Sequence, residues 1–168
     1  IIKSKIFNED KIYLLKDPII NIKNIILKKV EKIDIDIIKE KYILGVGRLT
    51  TQKNFKLLLN FYIKLIKIYP EYKLYILGDG EDKNMLNNII KRHQLDSRAF
   101  LLGYQNNIFK YLRHADCFIL SSLWEDPGFV LVEAAAMNTN IISSDCPNGP
   151  KEIICNDDFL FTNGSADE

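Results

Sequence analysis

Two carboxylates, Glu125 and Glu133, bracket residues 126–132 in the stretch Ser121-Ser122-Leu123-Trp124-Glu125-Asp126-Pro127-Gly128-Phe129-Val130-Leu131-Val132-Glu133. A carboxylate can accept hydrogen bonds from two vicinal hydroxyls, which is the chemistry needed to hold a sugar or a ribose. The Pro127-Gly128 break separates an apolar strand from an apolar helix, so Glu125 falls in a loop at the strand's carboxyl end. Glu133 falls a little over one turn inside the helix. Helical side chains tilt toward the N-terminus, so Glu133 reaches back to the loop mouth that Glu125 lines. The backbone N–H groups near Gly128, Phe129 and Val130 point into the same space and can receive an anion. The plainer alternative makes Glu133 a helix-start acid in favourable contact with the dipole, and Glu125 a solvated loop acid.

Arg48 and Lys53 form a second pair, in Gly45-Val46-Gly47-Arg48-Leu49-Thr50-Thr51-Gln52-Lys53-Asn54. This segment follows a strand and precedes a helix, the position where open α/β sheets bind ligands. Arg offers a planar fork and Lys a point charge, and together they can clamp a diphosphate. Taken alone, two such cations are equally an ordinary solvated loop. Gly78 opens a tight turn, Gly78-Asp79-Gly80-Glu81, where it permits close backbone approach to a ligand, while Asp79 and Glu81 read as an acidic helix start. Gly103 and Tyr104 follow another strand, and Tyr104 is either a ligand-facing aromatic or a rim residue. Asp145 and Asn148 lie in Ser144-Asp145-Cys146-Pro147-Asn148-Gly149-Pro150, a loop that borders a pocket or simply turns.

The elements that must position these residues alternate from Tyr42 onward, apolar runs with amphipathic stretches, as in a parallel sheet covered by helices on both faces. Strands are expected near Tyr42–Gly47, Lys73–Leu77, Ala99–Leu102, Cys117–Ser121, Asn140–Ser143 and, more weakly, Phe159–Phe161. Helices are expected near Phe55–Ile68, Lys83–His93, Ile108–Arg113 and Phe129–Met137, with a short one at Lys151–Ile154 and a left-handed cap at Asn138. Residues 1–41 do not fit the alternation and read as an inter-domain linker, with Asp17-Pro18-Ile19 extended. Residues 42–168 form the α/β domain.

With the motifs in this order, the chain resembles the retaining glycosyltransferases of family 4. Glu125 to Glu133 matches their E-x7-E signature, and Gly47-Arg48 to Lys53 their G-R-x4-K motif. Asp126-Pro127-Gly128 departs from their usual E-G-F-G. The resemblance implies the Rossmann-like C-terminal half of a GT-B fold. It implies that Arg48 and Lys53 bind the donor diphosphate and stabilise its departure, that Glu125 meets the transferred sugar and that Glu133 meets the nucleotide ribose. Gly47, Gly78, Gly103, Tyr104, Gly128, Phe129 and Val130 would complete the donor site. The donor implied is a UDP-sugar, and the acceptor a surface glycan or lipid-linked sugar reached through an N-terminal acceptor domain. No cofactor and no metal are expected. The full-length enzyme would be cytoplasmic, at the inner face of the membrane, and the present chain inactive alone.

Composition excludes other classes. The 23 Lys+Arg against 22 Asp+Glu leave a net charge of +1, which does not favour nucleic acid as a partner. Cys117, Cys146 and Cys155 are isolated thiols with no metal-binding or disulfide spacing. No apolar run has the length of a membrane span. Gly45 and Gly47 begin a dinucleotide fingerprint that Thr50 breaks, so NAD binding is not expected. His93 and His114 read as structural. The chain begins Ile1-Ile2-Lys3 and reads as an internal piece of a longer protein. The alternative class is a non-catalytic sugar-nucleotide sensor or a regulatory doubly wound module, which would not need Arg48, Lys53, Glu125 and Glu133 together.

Overall fold

The computed structural model describes residues 39–164, together with Ile25, Leu27, Lys28, Glu31 and Ile37. Most of the expected linker 1–41, including Asp17-Pro18, lies outside the described residues.

Six parallel strands form one sheet: β1 (Tyr42–Val46), β2 (Lys73–Leu77), β3 (Ala99–Leu101), β4 (Cys117–Leu120), β5 (Ile141–Ser144) and β6 (Leu160–Phe161), in the order β3-β2-β1-β4-β5-β6. The chain builds outward from β1 to β3, then returns to place β4 against the other side of β1. Register follows from in-phase burial, with Tyr42 opposite Lys73 and Val46 opposite Leu77, and with Ile43 opposite Cys117. Successive strand residues feed two separate cores. Tyr42, Leu44, Tyr75, Leu77, Phe118 and Leu120 face one, while Ile43, Leu74, Ile76 and Ile119 face the other. This is why the strands read as continuous apolar runs: each face has its own helices to meet.

From β1 onward the α-helices are α1 (Phe55–Leu65), α2 (Lys83–Arg92), α3 (Phe109–Leu112), α4 (Phe129–Ala136) and α5 (Pro150–Ile153). Helix α1 buries Leu58, Leu59 and Tyr62, and α2 buries Leu86 and Ile90, both over the second core. Helices α3 and α4 cover the first with Leu112, Leu131 and Ala134. Helix α1 stops short of the expected Ile68. The Ile68 N–H turns back to Leu65 O at 3.0 Å, tightening the chain ahead of Pro70. Asn138 adopts φ 58°, the expected left-handed cap. Helix α5 begins at Pro150, one residue before expectation, because proline suits the first helical position. Ile25 joins the first core, and Asn107 Nδ2 donates to Lys28 O at 2.8 Å.

Candidate functional site

The strand order reverses between β1 and β4, the usual ligand position in such sheets, and the loops that leave these two strands meet there. Both predicted motifs sit there. On the β1 side, the loop is tied to its neighbours by backbone bonds: Gly47 N–H to Leu77 O, 3.0 Å, and Leu49 N–H to Asp79 O, 3.0 Å. The Gly78 N–H reaches Gly103 O at 2.8 Å, so the loops after β1, β2 and β3 form one continuous rim.

That rim encloses a cleft of about 270 Å³ lined by Val46, Gly47, Arg48, Leu77, Gly78, Asp79, Tyr104, Gln105 and Ile108. Arg48 is exposed here, and its guanidinium makes no ion pair or hydrogen bond among the described residues. Tyr104 is 75% exposed and stands as a rim aromatic. Asp79 belongs to the turn, as expected: it accepts from Gly80 N–H and from Lys83 Nζ, each at 2.9 Å, and the Lys83 bond holds its carboxyl below the usual range.

Gly78 has a different physical reason from the one expected. It adopts φ +140°, and a Cβ there would fall 1.8 Å from Gly47 O. Its missing side chain lets the β1 loop approach, and its backbone lines the cleft.

At the reversal itself, Lys53 of the β1 loop meets Glu125 of the β4 loop. Lys53 Nζ donates to Glu125 Oε1 at 2.6 Å and to Oε2 at 2.8 Å, and their side chains are only 16% and 4% exposed. Glu125 is therefore not a solvated loop acid. Ser122 Oγ also donates to Oε1, Glu125 N–H donates to Pro147 O at 3.0 Å, and Ser121 Oγ donates to Lys53 O at 2.9 Å. Leu123 N–H and the Gln52 side chain add two further links between the same loops, to Gln52 O and Trp124 O respectively. The β5–α5 loop, expected only to border the site, reaches it through Pro147. Asp145 instead faces outward, 3.6 Å from Lys151.

Gly128 caps α4 in the left-handed conformation, φ 83°, and packs beside Glu125, whose Cβ and Cγ would lie 3.5 Å from an added side chain. Phe129 is partly exposed, whereas Val130 packs on the first core, which confines any ligand contact of Val130 to its backbone. Glu133 is half-buried, and burial raises its carboxyl above the usual range, with Lys28 opposing. Of the expected residues, Gly47, Arg48, Gly78 and Tyr104 line one cleft, and Gly103 braces its rim. Lys53, Glu125 and Gly128 form a second cluster. Glu133 lies one turn beyond it on α4, and does not line the cleft.

Sequence reasoning missed Ser122, Cys146 and Gln105. Ser122 sits three residues before Glu125, a spacing that offered a clue. Cys146 is buried beside the pair, and burial pushes its thiol up. Gln105 donates to Leu102 O at 2.9 Å and carries no signal in the sequence. Among the described residues, no group of His, Cys, Asp and Glu is placed to hold a metal ion, and no helix is long and apolar enough to cross a membrane.

Residues 29–168 match the family Glycosyl transferases group 1. The chain belongs to that family. A glycosyltransferase of Methanocaldococcus jannaschii, itself uncharacterized, is 43% identical over 121 residues, covering 71% of the chain and 30% of the relative. The N-acetylgalactosamine-N,N'-diacetylbacillosaminyl-diphospho-undecaprenol 4-alpha-N-acetylgalactosaminyltransferase of Campylobacter jejuni is 36% identical over 140 residues, covering 83% of the chain and 37% of the relative. The chain thus spans about a third of the length of these relatives. Among solved structures, the pneumococcal O-GlcNAc transferase GtfA, in complex with UDP and GlcNAc, superposes with TM-score 0.70 at 23% identity, covering 77% of the chain and 26% of that protein. This likeness establishes the fold. The group 1 transferase domain is a parallel, Rossmann-like sheet of the GT-B type, corresponding to its C-terminal half.

Proposed function

We propose that this group 1 transferase domain binds the donor of a retaining glycosyltransferase, a UDP-sugar, for transfer to a glycan or lipid-linked acceptor. The observation that carries the proposal is Arg48: an exposed guanidinium with no ion pair among the described residues, in a cleft rimmed by the loops after β1, β2 and β3, on the same β1 loop as Lys53 of the buried Lys53–Glu125 pair. The leaving diphosphate is the largest charge that develops in such a transfer, and fixed cations aimed at it lower the barrier. Arg48 and Lys53 are those cations, and the proposal includes no metal or cofactor. Glu125 receives the sugar, and Glu133 the ribose. The names of the Campylobacter relative and of the pneumococcal structure support a lipid-linked acceptor and a uridine donor respectively. A lipid-linked acceptor would place the reaction at the cytoplasmic face of a membrane.

Calorimetric titration of residues 1–168 with UDP tests this reading. A charge-assisted hydrogen bond contributes about 1.5–3 kcal/mol, so Arg48→Ala should weaken UDP by about tenfold or more. Unchanged UDP affinity in that variant removes the diphosphate assignment. Given labelled UDP-sugar and a glycan acceptor, the same preparation should transfer no sugar, because orientation of the two substrates in one cleft supplies about 7–11 kcal/mol of the barrier lowering. Robust transfer would overturn the assignment of this domain to the donor side alone.

A further inference from the structure

The Glu125 carboxylate is held unevenly. Oε1 accepts from both Ser122 Oγ and Lys53 Nζ, whereas among the described residues Oε2 accepts from Lys53 Nζ alone. Each carboxylate oxygen has about two acceptor positions. Those of Oε1 are filled, and Oε2 retains one.

The group that fills Oε1 is itself fixed. Ser122 is 0% exposed, and its carbonyl accepts from Ser144 Oγ at 2.7 Å, with Ser144 also 0% exposed. A serine hydroxyl has one proton to donate, and Ser122 commits it to Glu125. Lys53, by contrast, is a flexible chain whose ammonium can follow a diphosphate without breaking the Ser122 bond.

We propose that Ser122 is a positioning residue for the donor sugar. It pins Oε1, so that the carboxylate cannot turn, and leaves Oε2 as the atom that accepts a sugar hydroxyl. Ser144 acts one step further back, by holding the Ser122 backbone on β5. The proposal rests on the reading of the site as one for a UDP-sugar, and it assigns sugar recognition to a residue that touches no ligand. Ser122 bonds the carboxylate and not a cation assigned to the diphosphate, so its effect is expected mainly on the sugar.

The test compares UDP with UDP-glucose and UDP-N-acetylglucosamine in calorimetric titrations of residues 1–168, for the wild type, Ser122→Ala and Glu125→Gln. Ser122→Ala is expected to keep UDP affinity within about twofold and to weaken the preferred UDP-sugar about tenfold, the fold-change of a lost well-placed hydrogen bond to a charged group. Ser122→Cys keeps the side chain's volume and loses its strong donor, so it carries the same test if the alanine variant does not fold. Equal loss of UDP and UDP-sugar would overturn the proposal, since Ser122 would then only support packing. Unchanged UDP-sugar affinity in Ser122→Ala, with Glu125→Gln weakened, would overturn it while leaving the site reading intact. Unchanged UDP-sugar affinity in Glu125→Gln would remove Glu125 from the sugar, and the proposal with it.

Discussion

Replacing Lys53 by Met tests whether the loops after β1 and β4 are held together by a buried charge pair or merely decorated by one. The substitution keeps most of the stem and removes the ammonium. Glu125, 4% exposed at its side chain, then keeps, among the described residues, only the Ser122 hydroxyl as a side-chain partner. Removing one member of a buried pair typically costs about 3–5 kcal/mol, because the remaining charge has lost its water and its counter-charge. Lys53 is only 16% exposed, so solvent replaces little of what is lost. At roughly 2–4 °C per kcal/mol for a chain of this size, the melting temperature should fall by about 6–20 °C. Chemical denaturation at neutral pH gives the free energy directly, and the double variant Lys53→Met with Glu125→Gln closes a cycle. The double variant should recover much of the loss, since neither charge is then stranded. A cost of about 1 kcal/mol or less, as for exposed pairs, together with additive single effects, would refute the buried-pair reasoning.

Two further outcomes follow from single positions. The Glu133 carboxyl is raised by burial, so the folded chain holds its proton more tightly than the unfolded chain, and this residue's contribution to stability falls as pH rises above the ordinary glutamate range. Glu133→Gln should therefore melt higher than the wild type at neutral pH and at the same temperature near pH 4, while binding UDP more weakly; melting curves across pH check the sign. Gly78→Ala places a Cβ 1.8 Å from Gly47 O in a backbone conformation that L residues rarely adopt. It should cost about 2–5 kcal/mol in denaturant unfolding and distort the cleft that Arg48 lines.

What the amino-acid sequence determined by itself was local. Apolar runs of strand length and amphipathic stretches of helical period set every strand and α-helix from β1 to β6 to within a few residues, because burial on two faces makes most strand positions apolar; the 3-10 turn Asp157–Phe159, where a strand was expected from Phe159, carried no such pattern. Gly-Arg and Pro-Gly breaks placed Arg48, Lys53 and Glu125 on loops at strand carboxyl ends, since such loops begin where the apolar run stops. Tilt along a helix led to the expectation of Glu133 at the same mouth, whereas it lies one turn along α4 and does not line the cleft. Only the tertiary structure could decide that Lys53 and Glu125, 72 residues apart, are partners. That pairing exists because β4 returns to the side of β1 opposite β2, and strand order is settled by the packing of the whole sheet rather than by any segment in it. The same long-range choice buries Glu125 and brings Pro147 and Cys146 beside it, while the pairing of β1 with β2 sets Gly47 O against Gly78. Ser122 gained its meaning last of all: a serine three residues before a glutamate is unremarkable in a loop, and becomes a clamp only where both are buried and water can no longer supply the hydrogen bond.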